Sequence, residues 1–376
     1  NYSHANKQSI EGVVCQLNYA DHTGPMIEHL FQKYENSKLN DLLGFSSLQS
    51  PNTHLWETPT EFLLRHTLNK HRDMVKASSL IAGLFGQESL KSLSAEEKIQ
   101  QFRLAVYEYT GRSMIEELLN DNSLFLLSLA PERDENPLKK LDILLGRLQS
   151  NILSRQEISR ASEEYDSLTG RNTESLPFCD LYRIGLLGLA DVSPSQGKQR
   201  FQSIFGQDVT GWMSVNFLPE AEFYILHPCL DYRLRKLYGR NYKPLFGIQT
   251  GDGLPISQLG LNLIRVQKGL RHLYNDDNGP QTAALELISI LEELFIGYVN
   301  KQVRDKERLY RQCDKIIALW KTLLKNGEAA CLKEIYFNVA DELMTSGTFS
   351  KFENKNQAAF GAGCGQSRNK PEAQFC

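Results

Sequence analysis

The sequence lacks most of the short patterns that announce a chemistry. There is no GxxxxGK[ST], no GxSxG, no HExxH and no Cys/His cluster at metal-ligand spacing. Their absence removes P-loop phosphate transfer, the α/β-hydrolase nucleophile elbow and the zinc proteases. A DxD-type metal motif is also missing, which argues against glycosyl or nucleotidyl transfer. "HRD" at 71–73 echoes a kinase catalytic loop, but no Asn stands five residues after the Asp and no DFG follows. The seven cysteines are odd in number, scattered and never arranged as CxxC. They read as reduced thiols rather than a disulfide framework or a zinc ribbon. No window approaches 18 continuous apolar residues, so no membrane span is expected. The opening stretch "NYSHANKQSIEG" has neither the basic nor the apolar region of a signal peptide. Charge of one sign is not in excess either. A formal net charge of −3 argues against non-specific nucleic-acid binding.

What is present is an ordinary globular composition, 41% hydrophobic and 23% charged, on a chain of 376 residues, long enough to bury a sizeable core. Apolar residues recur mostly at helical spacing. In "TPTEFLLRHTLNKHRDMVKASSLIAGLFG", Thr58 is an N-cap, Pro59 takes the first helical position and Glu61 completes a capping box. The apolar period predicts one helix running from there to about residue 84. A second box, Ser94 to Glu97, opens a helix with a stripe of Ile99, Phe102, Val106 and Tyr109, which Gly111 is expected to end. Residues 114–130 and 138–165 read as helical. Short apolar runs at 215–218, 223–226 and 245–249 could be strands. A long apolar period from 282 to 325 predicts one helix, or two joined near Gly297 or Arg304, followed by a helix over 329–344.

The expected fold is therefore mainly α, a multi-helix globular fold with at most a small sheet and a late long-helix layer. The expected divisions are an N-terminal helical segment (1–57), a helical core with the candidate site (58–280), the long-helix layer (281–345) and a Gly- and polar-rich tail (346–376). "GAGCGQSRNK" in that tail has glycines but follows no strand, so it reads as a flexible segment rather than a phosphate loop.

The histidines carry the best hint of chemistry. An imidazole can take or give a proton near neutral pH. His66 and His71, five apart on the expected helix, point about 140° away from one another, so they do not make a paired metal site. His66 and Asp73, seven apart, would share a face. Otherwise these are polar residues on a solvated face. His227 follows an apolar run and precedes Pro228, a position suited to the mouth of a helix, where free N–H groups favour an anion. Arg233 and Arg235 add charge that suits phosphate. The alternative is a loop histidine before a helix with a basic outer face.

"LSAEEKIQQFRLAVYEYTGR" (93–112) resembles the core helix of the phosphodiesterase domain of SidE-type effectors, which bacteria deliver into host cells by type IV secretion. "HPCLDYRLR" (227–235) is similar to that family's "HCLDLxR", with one residue inserted after the His. The resemblance covers roughly 60–240. It implies a mostly helical, metal-independent His–Glu–His site that cleaves phosphoribosyl-linked ubiquitin or handles ADP-ribosylated ubiquitin, with no cofactor. It also implies virulence-related secretion into the host cytosol. Carried onto this chain, His227 and His66 or His71 would attack or transfer protons, Arg112, Arg233 and Arg235 would hold phosphate, and Glu116 or Glu117 would orient a histidine. The chain departs from the family at Ser113, where the family has its catalytic Glu after Gly-Arg. It also departs at "RHTLNKH", which does not reproduce the upstream His motif. The rival expectation is a non-enzymatic helical module that binds a host protein through the 282–325 region.

Overall fold

The computed structural model describes residues 29, 39–51, 54, 56–67, 71–132, 136–170, 177–190, 192–193, 198–200, 218–247, 255–275, 281–300, 306–323 and 330–345. The fold is mainly α, with three small antiparallel sheets among the described residues. The tail 346–376, most of 1–38 and the runs at 215–217 and 248–249 lie outside the described residues. The chain divides after Ser257 into two compact units.

The first unit begins with α1 (Leu39–Leu43) and a short strand pair, β1 (Leu48–Gln49) and β2 (Trp56–Glu57). α2 (Pro59–His66) starts at the Thr58 capping box, where the Glu61 N–H donates to Thr58 Oγ1 and the Thr58 N–H donates to the Glu61 carboxylate. It does not run on to residue 84. Thr67 turns extended, with φ −91° and ψ 155°, while its N–H still bonds Leu63 O and its hydroxyl donates to Leu64 O. A hydroxyl that satisfies the last turn lets the chain leave the helix there. α3 (His71–Phe85) starts afresh. His66 and His71 are therefore on different helices, and neither the five-residue angle nor the shared face of His66 and Asp73 applies.

After α4 (Glu88–Lys91), the Ser94/Glu97 capping box opens α5 (Ala95–Glu108) as expected. Phe102, Val106 and Tyr109 are buried and Ile99 is half-buried. Gly111 does not end this helix. Tyr109–Met114 form a π-helix that passes directly into α6 (Ile115–Asp121). The expected helix over 114–130 stops at Asp121. The following segment instead folds round the buried Asp180 carboxylate, which accepts the N–H groups of Leu127, Ser128 and Leu129. The expected 138–165 helix is also interrupted. α7 (Leu138–Leu145) ends, β3 (Ile152–Ser154) follows, and a third capping box, Ser154 with Glu157, restarts the chain as α8 (Arg155–Thr169).

α9 (Pro177–Arg183) leads into β4 (Leu187–Ala190), all buried. A second three-stranded sheet joins β5 (Val192–Ser193), β6 (Lys198–Arg200) and, later, β8 (Pro255–Ser257). The central strand of the first sheet is β7 (Phe223–Leu226), paired on both sides with β3 and β4 and buried at every position. This is the expected 223–226 strand. Residues 245–247 are not a strand. β7 delivers His227 to a 3₁₀ turn (Pro228–Leu230) and then to α10 (Asp231–Tyr238).

The second unit holds α11 (Gln258–Asn275), α12 (Gln281–Val299), α13 (Lys306–Leu323) and α14 (Ala330–Thr345). Over 282–325 the described residues form two helices, one ending at Val299 with Gly297 inside it and the next beginning at Lys306. Trp320 and Tyr336 are fully buried and meet edge to face at 5.5 Å. Gly269 allows α11 close to α14, because a Cβ there would lie 2.7 Å from Leu332. That packing makes α11 part of this unit, so the structural division falls at 257/258 where the sequence suggested 280/281. Among the described residues no helix is long and apolar enough to cross a membrane.

The π-helix has a testable consequence. A Cβ on Gly111 would lie 2.8 Å from Tyr232 Cδ1 and 3.0 Å from its Cβ. Tyr232 cannot retreat without moving α10. We expect Gly111→Ala to lose about 1–3 kcal/mol by overpacking, outweighing the roughly 1 kcal/mol helix-propensity gain at the upper end. A urea midpoint at or above that of the parent protein would show that the close approach is unimportant.

Candidate functional site

His66 and His227 end up in one buried cluster. His66 is the last residue of α2 and His227 follows β7, and α2 packs directly against the 3₁₀ turn that His227 caps. Each is 1% exposed. The His66 ring lies between Phe62, 4.2 Å away, and Tyr107, which it meets edge to face at 5.2 Å. Tyr107 in turn stacks on Tyr232 at 6.4 Å.

Local hydrogen bonds fix opposite tautomers. His66 Nδ1 lies 2.8 Å from Phe62 O, an acceptor, so Nδ1 carries the proton and Nε2 keeps its lone pair. His227 Nδ1 accepts the Cys229 N–H at 3.2 Å, so in the neutral ring the proton is on Nε2. Burial drives the His227 pKa down to about 3, with Arg65 adding to the effect. Burial also holds His66 well below the usual histidine value, and Arg65, His227 and Arg235 add to it. Both rings are neutral at physiological pH.

Around them stand charges that the sequence did not single out. Arg65, 8% exposed, donates from Nε and Nη2 to the two Glu57 oxygens at 3.0 and 2.6 Å, and lies over the Phe62 ring. Asp231, 4% exposed, accepts from Arg235 Nε at 3.0 Å and from the Tyr242 hydroxyl. Arg235 sits over the Tyr242 ring. Arg103, half-buried on α5, donates from Nη2 to Gln49 O. Arg103 and Tyr107 are four residues apart, on the face beside the Phe102–Val106 stripe. That spacing was the available signal, masked by the apolar run next to it.

The other sequence candidates take different places. His71 opens α3, and its side chain lies outside the described ones. Arg112 is exposed and pairs with Glu116 at 3.6 Å. Glu117 pairs with Lys76 at 2.6 Å and with Arg72 at 3.3 Å. Arg233 Nε donates to Asp142 at 2.8 Å and Nη1 donates to Gly111 O at 3.0 Å, tying α10 to α7 and to the π-helix. His227 is itself the N-cap of its turn, so the Cys229 N–H is already used. Among the described residues no group of three or more His, Cys, Asp or Glu is placed to hold a metal ion. Comparison with protein-family models, curated proteins and solved structures finds no match to the chain.

Two depressed histidines make stability depend on pH. Below 6.5 the unfolded chain takes up protons that the folded protein refuses, so stability falls with pH, and His227 stops contributing near pH 3. Between pH 6.5 and 5, His227 alone accounts for about 2 kcal/mol of lost stability. We expect His227→Gln to lose distinctly less stability than the parent between pH 7 and pH 5. Equal losses in urea melts would mean that His227 is not held neutral.

Proposed function

We propose that the first unit is a metal-independent, phosphodiesterase-type hydrolase acting on a nucleotide- or ADP-ribose-type phosphate. The supporting observation is the complementary protonation of two juxtaposed imidazoles, one with a lone pair at Nε2 and one with a proton there. That pairing offers a nucleophilic lone pair together with a hydrogen-bond donor for the leaving oxygen. On this reading His66 Nε2 forms a bond to phosphorus as the bond from phosphorus to the leaving oxygen breaks. His227 Nε2–H hydrogen-bonds the departing oxygen, as a neutral imidazole can. Water then cleaves the phosphohistidine. One water is consumed per phosphodiester, its hydroxyl ending on phosphorus and its proton on the leaving alcohol.

The resemblance of 93–112 and 227–235 to SidE-type phosphodiesterase domains supports the same chemistry. It favours phosphoribosyl-linked or ADP-ribosylated ubiquitin as substrate and a role as a secreted bacterial effector in the host cytosol. In this chain the orienting Glu of that family has no counterpart at Ser113. Backbone groups, Phe62 O and the Cys229 N–H, set the two rings instead.

Two measurements test the reading. Thermal unfolding with ATP, ADP, AMP, NAD and ADP-ribose should single out one class; ligand at 100 times its Kd adds about 2.7 kcal/mol. Stabilisation by none of them would favour the host-protein-binding module. With a hydrolysed substrate in hand, His66→Ala and His227→Ala should each lower kcat by about 10²–10⁴. The acid limb of the pH–rate profile should lie well below 6.5, because burial lowers the His66 pKa. Full activity in either variant would remove the proposal.

A further inference from the structure

Two donors of this cluster, on Tyr107 and on Arg103, are buried without an acceptor among the described residues. The Tyr107 hydroxyl and the Arg103 Nε are both out of contact with water and without a hydrogen-bond partner among the described residues. Four other buried tyrosines are satisfied: Tyr165 donates to Ser128 O, Tyr224 to Pro219 O, Tyr242 to Asp231 and Tyr336 to Leu287 O. Orphaned donors are rare because the desolvation cost is not recovered, so each calls for an explanation. Tyr109 also has an orphaned hydroxyl, but Asp73 and Glu117 are among its neighbours, and those carboxylates would repel an anion.

Tyr107 has the opposite surroundings. Arg65, Arg103 and Arg235 all act on it electrostatically, with Asp231 as the opposing charge. Burial pushes the Arg103 pKa down, and the Arg235 charge adds to the effect against the opposing Tyr107 and Glu57. Among the described residues, three guanidinium groups face two carboxylates: Glu57 pairs with Arg65 and also acts on Arg103, and Asp231 pairs with Arg235. The missing component is an acceptor with negative charge. Arg103 is half-buried and the Arg235 side chain is 37% exposed, whereas Tyr107 and His66 are buried.

We propose that Arg103, Arg235 and Tyr107 form a binding subsite for a phosphoryl oxyanion. The anion bridges the two guanidinium groups, accepts the Arg103 Nε–H and the Tyr107 O–H, and comes to rest beside the His66 ring that Tyr107 touches. Planar guanidinium donors suit phosphate oxygens, and charge-assisted bonds in a partly desolvated site are the strong ones. The subsite extends the proposed hydrolase by naming what holds the substrate's phosphorus against His66, and it rests on that reading only for what happens after binding.

Titration calorimetry with inorganic phosphate, at ionic strength held constant with chloride, tests it on the full chain. The parent protein should bind phosphate saturably. Arg103→Met and Tyr107→Phe should each weaken binding about tenfold or more, the loss of one hydrogen bond to a charged group. Arg155→Met, which removes an exposed arginine paired with Glu220, should bind as the parent does. Tyr107→Phe also removes an orphaned hydroxyl, so without phosphate its Tm should equal or exceed the parent's, which separates lost binding from lost folding. Absence of saturable phosphate binding in the parent, or unchanged affinity in both Arg103→Met and Tyr107→Phe, would overturn the subsite. His66→Ala and His227→Ala proteins should still bind phosphate. If phosphate binds through Arg103 and Tyr107 but no phosphodiester is cleaved, the subsite stands and the hydrolase reading falls.

Discussion

The buried carboxylate of Asp231 is the constraint on which the cluster depends. It sits in the first turn of α10, where a negative charge suits the helix dipole, and is 4% exposed. It takes a hydrogen bond from Arg235 one turn on and another from Tyr242 beyond the helix. A buried carboxylate without such donors would be strongly destabilising. With them, it holds Arg235 over the Tyr242 ring, and it opposes the Arg65, Arg235 and Arg103 charges that act on Tyr107. Glu57 does the same for Arg65 from the opposite end, through a two-point contact that leaves little rotational freedom.

The π-helix supplies the geometry that lets α10 come close. One extra residue in the turn at 109–114 places Gly111, which has no Cβ, against Tyr232, and leaves its carbonyl for Arg233. The same helix carries Arg103 and Tyr107 a few residues earlier, so α5, the π-helix and α10 are set by one contact. Departures of this kind from regular helix are frequently found at functional sites. Arg233 is thereby committed to structure. Its guanidinium is divided between Asp142 and Gly111 O, and Arg235 is the arginine of that helix that faces the cluster.

The helical character, two capping-box helix starts and one strand were legible in the sequence, because capping boxes and apolar runs act locally. Thr58/Glu61 and Ser94/Glu97 needed only four residues each to be read, and the 223–226 strand needed one apolar run. The Ser154/Glu157 box was equally local, but the apolar period around it masked it. What could not be read were breaks and continuations decided by tertiary contact. Thr67 ends α2 with a hydroxyl-to-carbonyl bond, and Gly111 continues a helix because Tyr232 lies against it. The site was half legible. His66, His227 and Arg235 could be picked out by chemistry alone. Arg65, Arg103, Tyr107 and Asp231 acquire meaning only when 57–66, 103–107 and 227–242 are brought together. Glu116, Glu117 and Arg112, read from the resemblance, are engaged in ion pairs of their own.

At 227–235 the cap and the chemistry proposed for it fall to different atoms of His227. His227 caps its turn with Nδ1, and that bond is what pins the proton on Nε2. Protonating Nδ1 as well would set two N–H groups against each other, so the capping bond and burial both keep the ring neutral. A neutral ring can donate a hydrogen bond but cannot neutralise a phosphate. On the proposed reading the charge must therefore come from elsewhere, and the cationic groups at hand are Arg65, Arg103 and Arg235. Fixed guanidinium groups remain charged at any pH the fold survives, while the imidazoles supply a lone pair and a hydrogen-bond donor without carrying charge. The Arg65 and Arg235 charges that add to burial in suppressing histidine protonation are among those that would attract an oxyanion.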